Sequence, residues 1–174
     1  VQTCALPIFT AIDFYRMLND ALGLEETTKK SQMFNQIQDE LKRLTSENKM
    51  EVIIAIDEAQ FFDDEIVKIC NDLANQGIRV IVAGLDMDFK GNPFGPMPAL
   101  MATAEYVTKV HAVCTRTGNL ANYSFRKTDN DKLVMLGETE EYEPLSRAAY
   151  FKAMRENMEV KDVEIVNKQK DDNQ

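Results

Sequence analysis

Val52-Ile53-Ile54-Ala55-Ile56-Asp57-Glu58-Ala59-Gln60-Phe61-Phe62 decides how this chain is read. Apolar, mostly β-branched residues run without a break into two adjacent carboxylates. A continuous apolar run of this length predicts a strand buried on both faces, as strands of parallel sheets are. Ile78 to Leu85 (IRVIVAGL) repeats the pattern. Between them, Asp63 or Asp64 caps a helix that reaches about Ala74. Ile66, Val67, Ile69, Cys70 and Leu73 form its buried face, and Gly77 ends it. Strand, helix, strand makes a βαβ unit with a right-handed crossover. The fold class is therefore α/β, a parallel sheet with flanking helices, and Cys70 is a small core residue.

Carboxylates at the C-terminal end of a parallel strand sit where open α/β sheets place ligands. Asp57 and Glu58 have the form of a Walker B strand end, in which the Asp serves Mg²⁺ and the next Glu can act as a general base. The plainer alternative is a solvated acidic turn. The second strand runs into Asp86 to Pro98 (DMDFKGNPFGPMP), which is too rich in Gly and Pro for regular structure. It leaves the same end of the sheet, where substrate loops belong. Phe89 and Phe94 either pin this loop to the core or wall a planar ligand, and Gly91 permits close backbone approach.

Upstream, Thr10 to Leu22 predicts a helix with Phe14, Leu18 and Leu22 on one stripe and Gly23 after it. Thr28 to Leu44 predicts a second, carrying Met33, Ile37, Leu41 and Leu44, with Thr27 or Thr28 as N-cap. These stripes are core. Val1 to Phe9 fits no element. Downstream, Ala99 to Ala104 is a short helix and Glu105 to Val113 a third strand. Asn122 to Lys127 and Lys132 to Leu136 are short strands around a polar turn. Gly137 to Pro144 is a loop, and Arg147 to Glu156 a terminal helix. Asn157 to Gln174 is polar, without pattern, and expected to be mobile. The divisions are 1–9, 10–50, 51–113, 114–150 and 151–174.

The chain has 174 residues, a net charge of −9 and a pI near 4.7. That suffices for one domain, or a domain plus a small lobe. The acidic balance argues against broad binding to nucleic acid or anionic membrane, but not against one nucleotide held through Mg²⁺. No apolar stretch approaches the roughly 20 residues of a spanning helix. The start lacks the basic region and long apolar core of a secretory signal. Cys4, Cys70 and Cys114 make no even framework, so a reducing cytoplasm is expected. The first residue is Val, which suggests a fragment.

Several blocks carry a specific resemblance: Asp57-Glu58-Ala59-Gln60-Phe61-Phe62, Ala83-Gly84-Leu85-Asp86, Phe89, Pro93-Phe94-Gly95, Cys114, Gly118, Arg126, Gly137, Tyr142 and Arg147. From Asp57 to about Phe151 the chain resembles the small cytoplasmic thymidine kinases, which join a P-loop core to a lasso lobe. The resemblance implies an incomplete P-loop-type sheet with a small β lasso. It implies ATP and Mg²⁺ as cofactors, thymidine or a related pyrimidine deoxynucleoside as substrate, and a homotetramer. Asp57 would serve Mg²⁺ and Glu58 would take the proton of the 5′-hydroxyl. Asp57, Glu58, Ala59 and Gln60 would face the nucleotide cofactor. Phe61, Leu85, Phe89 and Phe94 would line the nucleoside pocket. Ser124, Leu133, Met135, Gly137 and Tyr142 match lasso positions that close over the nucleoside.

Two departures stand beside the match. The family's two Cys-x-x-Cys pairs correspond to Cys114-Thr115-Arg116-Thr117 and Ser146-Arg147-Ala148-Ala149, which leaves one thiol of four, so zinc is not expected. No G-x-x-x-x-G-K-[ST] stretch occurs; the first glycine is Gly23 and the next Gly77. Ile12 to Gln60 instead resembles AAA+ ATPases that assist transposition or secretion, which share Asp-Glu-Ala-Gln. The expected function is thymidine phosphorylation, impaired without a P-loop. The alternatives are an AAA+ helper ATPase, in a chain that joins two families, or a non-catalytic remnant.

Overall fold

A computed structural model describes residues 9–47, 49–127 and 142–157. The chain forms two compact units. One holds the described residues up to Asp86 together with Pro93–Val107; the other holds Met87–Asn92 and the described residues from Thr108 onward.

In the first unit, helix α1 (Ala11–Ala21) starts at a capping box. The Thr10 hydroxyl accepts from the Asp13 amide at 3.4 Å, and the Asp13 carboxylate accepts from the Thr10 amide at 3.0 Å. Helix α2 (Lys30–Lys42) follows and passes into a π-helical turn, Arg43–Glu47. Its N-cap is Lys29, which makes no side-chain cap bond, rather than Thr27 or Thr28. The Thr27 hydroxyl is bonded to the Gln32 side chain instead. Met33, Ile37 and Leu41 are buried against α1. Each such side chain contributes about 1.5–3 kcal/mol relative to exposure.

Strands β1 (Ile53–Ile56) and β2 (Arg79–Val82) pair in parallel, with Ile53 opposite Arg79 and Ile56 opposite Val82. Helix α3 (Glu65–Ala74) connects them and ends before Gly77, whose φ is +80°. Asp64 stands at its N-cap without a side-chain cap bond, while Asp63 accepts from the amides of Glu65 and Ala11. Ile66, Ile69, Cys70 and Leu73 are buried in the same core as Ile54, Ile56 and Phe62. Burial raises the Cys70 thiol to about 11, as fits a small core residue.

The expectation of a strand buried on both faces fails. Ile54 and Ile56 are buried, but Ile53 is 56% exposed and Ile81 48%. Among the described residues the helices cover one side of a two-stranded sheet, so alternate positions face solvent. Phe9 adds one parallel bridge at Phe62: its amide donates to the Phe61 carbonyl at 2.7 Å. Helix α4 (Met97–Thr103) closes the unit behind Pro96.

The second unit is a small β lobe. β3 (Ala112–Val113) pairs antiparallel with β4 (Leu120–Ala121), and β5 (Tyr123–Arg126) with β6 (Tyr142–Leu145). Of the strand expected over Glu105 to Val113, only the last two residues pair. Glu105 to Val110 are exposed and have no neighbouring strand among the described residues. Tyr142 to Pro144, read from sequence as loop, is strand, because β5 supplies its ladder partners. Helix α5 (147–157) packs Ala149, Tyr150 and Ala153 against Tyr123, Phe125 and Leu145. The strand expected over Lys132 to Leu136, the leader before residue 9 and the tail after 157 lie outside the described residues.

Candidate functional site

The acidic pair sits at the C-terminal end of β1, both residues exposed. The Asp57 Oδ1 accepts from the Glu58 amide at 2.8 Å. Glu58 has φ +54° and ψ +38°, a left-handed conformation that costs a residue with a Cβ about 1–2 kcal/mol. Glu58 holds this conformation where the chain leaves the strand and enters the 3₁₀ turn Ala59–Phe61.

Gln60 is what that turn is built on. It is 3% exposed. Its Nε2 donates to the Glu58 carboxylate and its Oε1 accepts from the Leu85 amide at 2.9 Å. One buried side chain therefore ties the carboxylate to Leu85, in the segment that leaves β2. Two glycines make room for it. A Cβ on Gly84 would lie 2.7 Å from Gln60 Oε1, and one on Gly95 would lie 2.4 Å from the Gln60 carbonyl oxygen. Ala59 is fully buried; Leu85 is exposed. Phe61 and Phe94 meet edge to face with centroids 5.6 Å apart, so these expected pocket residues do come together.

In the second unit, Met87–Asn92 is held as a tight loop. The Asp88 carboxylate accepts from the amides of Lys90 and Asn92 at 2.9 and 2.8 Å, and the Tyr150 hydroxyl donates to the Phe89 carbonyl at 2.7 Å. Gly91, at φ +82°, brings the backbone to Tyr123, where a Cβ would lie 3.2 Å from the ring. Phe89 carries the Arg126 guanidinium over its ring at 3.6 Å, and Arg126 donates to the Tyr142 hydroxyl. Ser124 is half-buried on β5, opposite Pro144. Leu133, Met135 and Gly137 lie outside the described residues.

Three of the four positions that match the family's thiols, Cys114, Thr117 and Ser146, also meet. Cys114 is 1% exposed, and the Thr117 hydroxyl donates to the Ser146 hydroxyl at 3.3 Å. Burial opposes ionisation of Cys114, but hydrogen bonds from Thr117, Ser146 and the Arg116 amide outweigh it and lower the thiol to about 6. One thiol beside two hydroxyls, with Ala149 at the fourth matched position, is not a tetrahedral zinc donor set. Mg²⁺ makes a smaller demand. Among the described residues no three His, Cys, Asp or Glu side chains cluster. A nucleotide-bound Mg²⁺ needs only one or two carboxylates beside phosphate and water oxygens, so exposed Asp57 fits it.

Sequence reasoning missed the Gln60 hub and gave Arg126 no role. The available signals were a Gln between Ala59 and two Phe, and an Arg ending a short aromatic strand.

The thymidine kinase family model matches residues 16–150. Thymidine kinase of Bacteroides thetaiotaomicron is 62% identical over 105 residues, 60% of this chain and 53% of that protein. Those of Porphyromonas gingivalis and a Rhodothermus species are 59% and 53% identical over 100 and 98 residues, covering 49% and 46% of those proteins. The chain spans about half the length of the curated relatives it matches. With a family match that starts ahead of the acidic strand and runs through the β lobe into α5, the chain belongs to the thymidine kinase family.

Proposed function

We propose that the chain serves ATP-dependent phosphorylation of thymidine to thymidine monophosphate. The observation that carries this is the exposed Glu58 carboxylate at the end of β1, oriented by buried Gln60. In that role Glu58 accepts the proton of the nucleoside 5′-hydroxyl. The freed oxygen attacks the γ-phosphorus, the bond to the β,γ-bridging oxygen breaks, and ADP leaves. Asp57 would hold Mg²⁺, which when bound neutralises charge on the phosphates. Phe61, Leu85 and Phe94, and separately Phe89, Ser124 and Tyr142, are the described residues assigned to the nucleoside.

The chain has no phosphate-cradling G-x-x-x-x-G-K-[ST] stretch. Amides and a Lys placed on the phosphates are a main source of rate in this chemistry. We therefore expect thymidine binding with little turnover. Calorimetric titration with thymidine and with ATP, beside conversion of labelled thymidine, tests this. Thymidine heat with slow conversion supports the reading. Conversion at a full kinase rate refutes the argument from the missing cradle, and absence of thymidine heat refutes the substrate assignment.

A second reading rests on the AAA+ resemblance of Ile12 to Gln60. DNA- or partner-stimulated ATP hydrolysis without nucleoside phosphorylation would favour it, and a read of the encoding DNA across codons 50 to 65 tests whether two families join there. No described helix is long and apolar enough to cross a membrane. A cytoplasmic location and the tetramer that the family implies complete the proposal. Light scattering checks the tetramer.

A further inference from the structure

Arg126 is a cation buried to 5% exposure, and the chemistry proposed above gives it nothing to do. Its surroundings are specific. The β5–β6 register sets Arg126 directly opposite Tyr142, and its Nε donates to the Tyr142 hydroxyl at 3.2 Å, with Nη2 donating to the same oxygen. The guanidinium Cζ also lies over the Phe89 ring, 3.6 Å from its centroid. Phe89 comes from a loop far away in sequence, fixed by Asp88 and Tyr150. One planar group thus joins a phenyl on a loop to a phenol on a strand. A Lys ammonium could supply the charge but not the flat stacking surface together with two donors on one oxygen.

We propose that Arg126 is a positioning residue for the nucleoside base. It holds Phe89 and Tyr142 in one arrangement before the ligand arrives, so a planar pyrimidine meets a fixed aromatic pair. The guanidinium covers one face of Phe89, which leaves the base the opposite face or the ring edge. Phe89 is then a one-sided wall whose tilt is set by Arg126. This rests on the thymidine reading given above.

The test is a double-mutant cycle on thymidine affinity, combined with a spectroscopic measurement on the free chain. Arg126→Lys is expected to weaken thymidine binding roughly 30-fold and Tyr142→Phe roughly 10-fold. The double variant should be about as weak as Arg126→Lys alone, because both changes break one linkage. Equal melting temperatures across the set show that the loss is not one of folding. In the free chain, Arg126 side-chain protons should show upfield ring-current shifts that disappear in Phe89→Leu. That signal reports the stacking even if a binding variant folds poorly. Additive effects, or Arg126→Lys binding like the parent, overturn the proposal, and so does absence of the ring-current shift. If the parent shows the shift but binds no thymidine, the thymidine reading fails and takes the nucleoside role of Arg126 with it, leaving the Phe89–Arg126 stack as a structural contact.

Discussion

Replacing Gly95 by Ala separates backbone strain from steric collision at the turn that carries Glu58. Gly95 has φ +49°, and a Cβ there would lie 2.4 Å from the carbonyl oxygen, 3.2 Å from the carbonyl carbon and 3.5 Å from the Cα of Gln60. All three are backbone atoms, so no side-chain rotation relieves the contact. Gly77 is the internal control. Its φ is +80° and nothing lies within 4 Å of its added Cβ. Gly77→Ala should therefore lose only the left-handed penalty, about 1–2 kcal/mol. Gly95→Ala carries that penalty plus an overpacking cost of about 1–3 kcal/mol, for a total of about 2–5 kcal/mol. Gly84→Ala differs from both: it carries no left-handed penalty, but its Cβ would lie 2.7 Å from Gln60 Oε1, 2.8 Å from Met97 Sδ and 3.1 Å from the Ala59 backbone nitrogen, so only the Met97 end is free to give way cheaply. Urea unfolding of the three variants, compared at equal slope, reads the differences directly. If Gly95→Ala and Gly77→Ala agree within about 0.5 kcal/mol, a spread the collision term does not allow, the close approach of Gly95 to Gln60 is not real.

Three further outcomes follow from single contacts. Gln60→Leu leaves the Leu85 amide without its acceptor and frees the Glu58 carboxylate; denaturation should show a loss of about 1–3 kcal/mol, and a neutral result would mean the hub is not formed. The two faces of β1 and β2 should respond differently: Ile56→Ala costs about 2–5 kcal/mol, whereas Ile81→Thr, on the exposed face, stays within about 0.5 kcal/mol. Glu143 is held down to about 2 by hydrogen bonds from Arg116 and Thr115, so its stabilisation is complete above the ordinary carboxylate value of 4.5 and disappears as pH falls through about 2. Arg116→Met should flatten that acid limb; an unchanged pH–stability curve would show the pair to be inert.

The α/β class and the order strand, helix, strand were legible because apolar runs, Gly77 and the acidic pair agree on one reading. Core residues of α2 and α3 followed from 3.6-residue spacing; in α1 the expected Phe14 is buried and Leu18 and Leu22 partly so, while buried Ala11, Tyr15 and Asn19 lay off the expected stripe. Exposure of Ile53 and Ile81 was not legible, since a hydrophobic run states what a strand can bury and not what is present to cover it. The cap of α2 went astray because the hydroxyl of Thr27 bonds to Gln32, a choice that local sequence leaves open. β6 was missed because Tyr142-Glu143-Pro144-Leu145 shows no alternation of its own and becomes strand only through its register with β5. Gln60 was expected at the nucleotide cofactor and Arg126 was given no role; that each is a hydrogen-bonding hub was illegible for one shared reason. Their importance comes from partners 25 and 16 residues away, Leu85 and Tyr142, and polar residues at short range look like surface.

The placement of the acidic pair does not depend on a wide sheet. Among the described residues two parallel strands are paired at this point, and their outer face is open. What holds Glu58 is instead contained in residues 57 to 95. Its amide donates to Asp57, its carboxylate accepts from Gln60, Gln60 accepts from Leu85, and Gly84 and Gly95 let the backbone close around Gln60. The amide of Ala59 donates to the carbonyl of Ala83 at 3.0 Å, and that of Ala83 to the carbonyl of Ile56 at 2.8 Å, which fastens the turn to both strand ends. A left-handed glutamate persists only where its surroundings fix it more strongly than the strain resists. Here those surroundings span fewer than forty residues by sequence number. The segment that fixes the Glu58 carboxylate is therefore self-contained and draws on no glycine-rich phosphate cradle, a stretch this sequence does not contain.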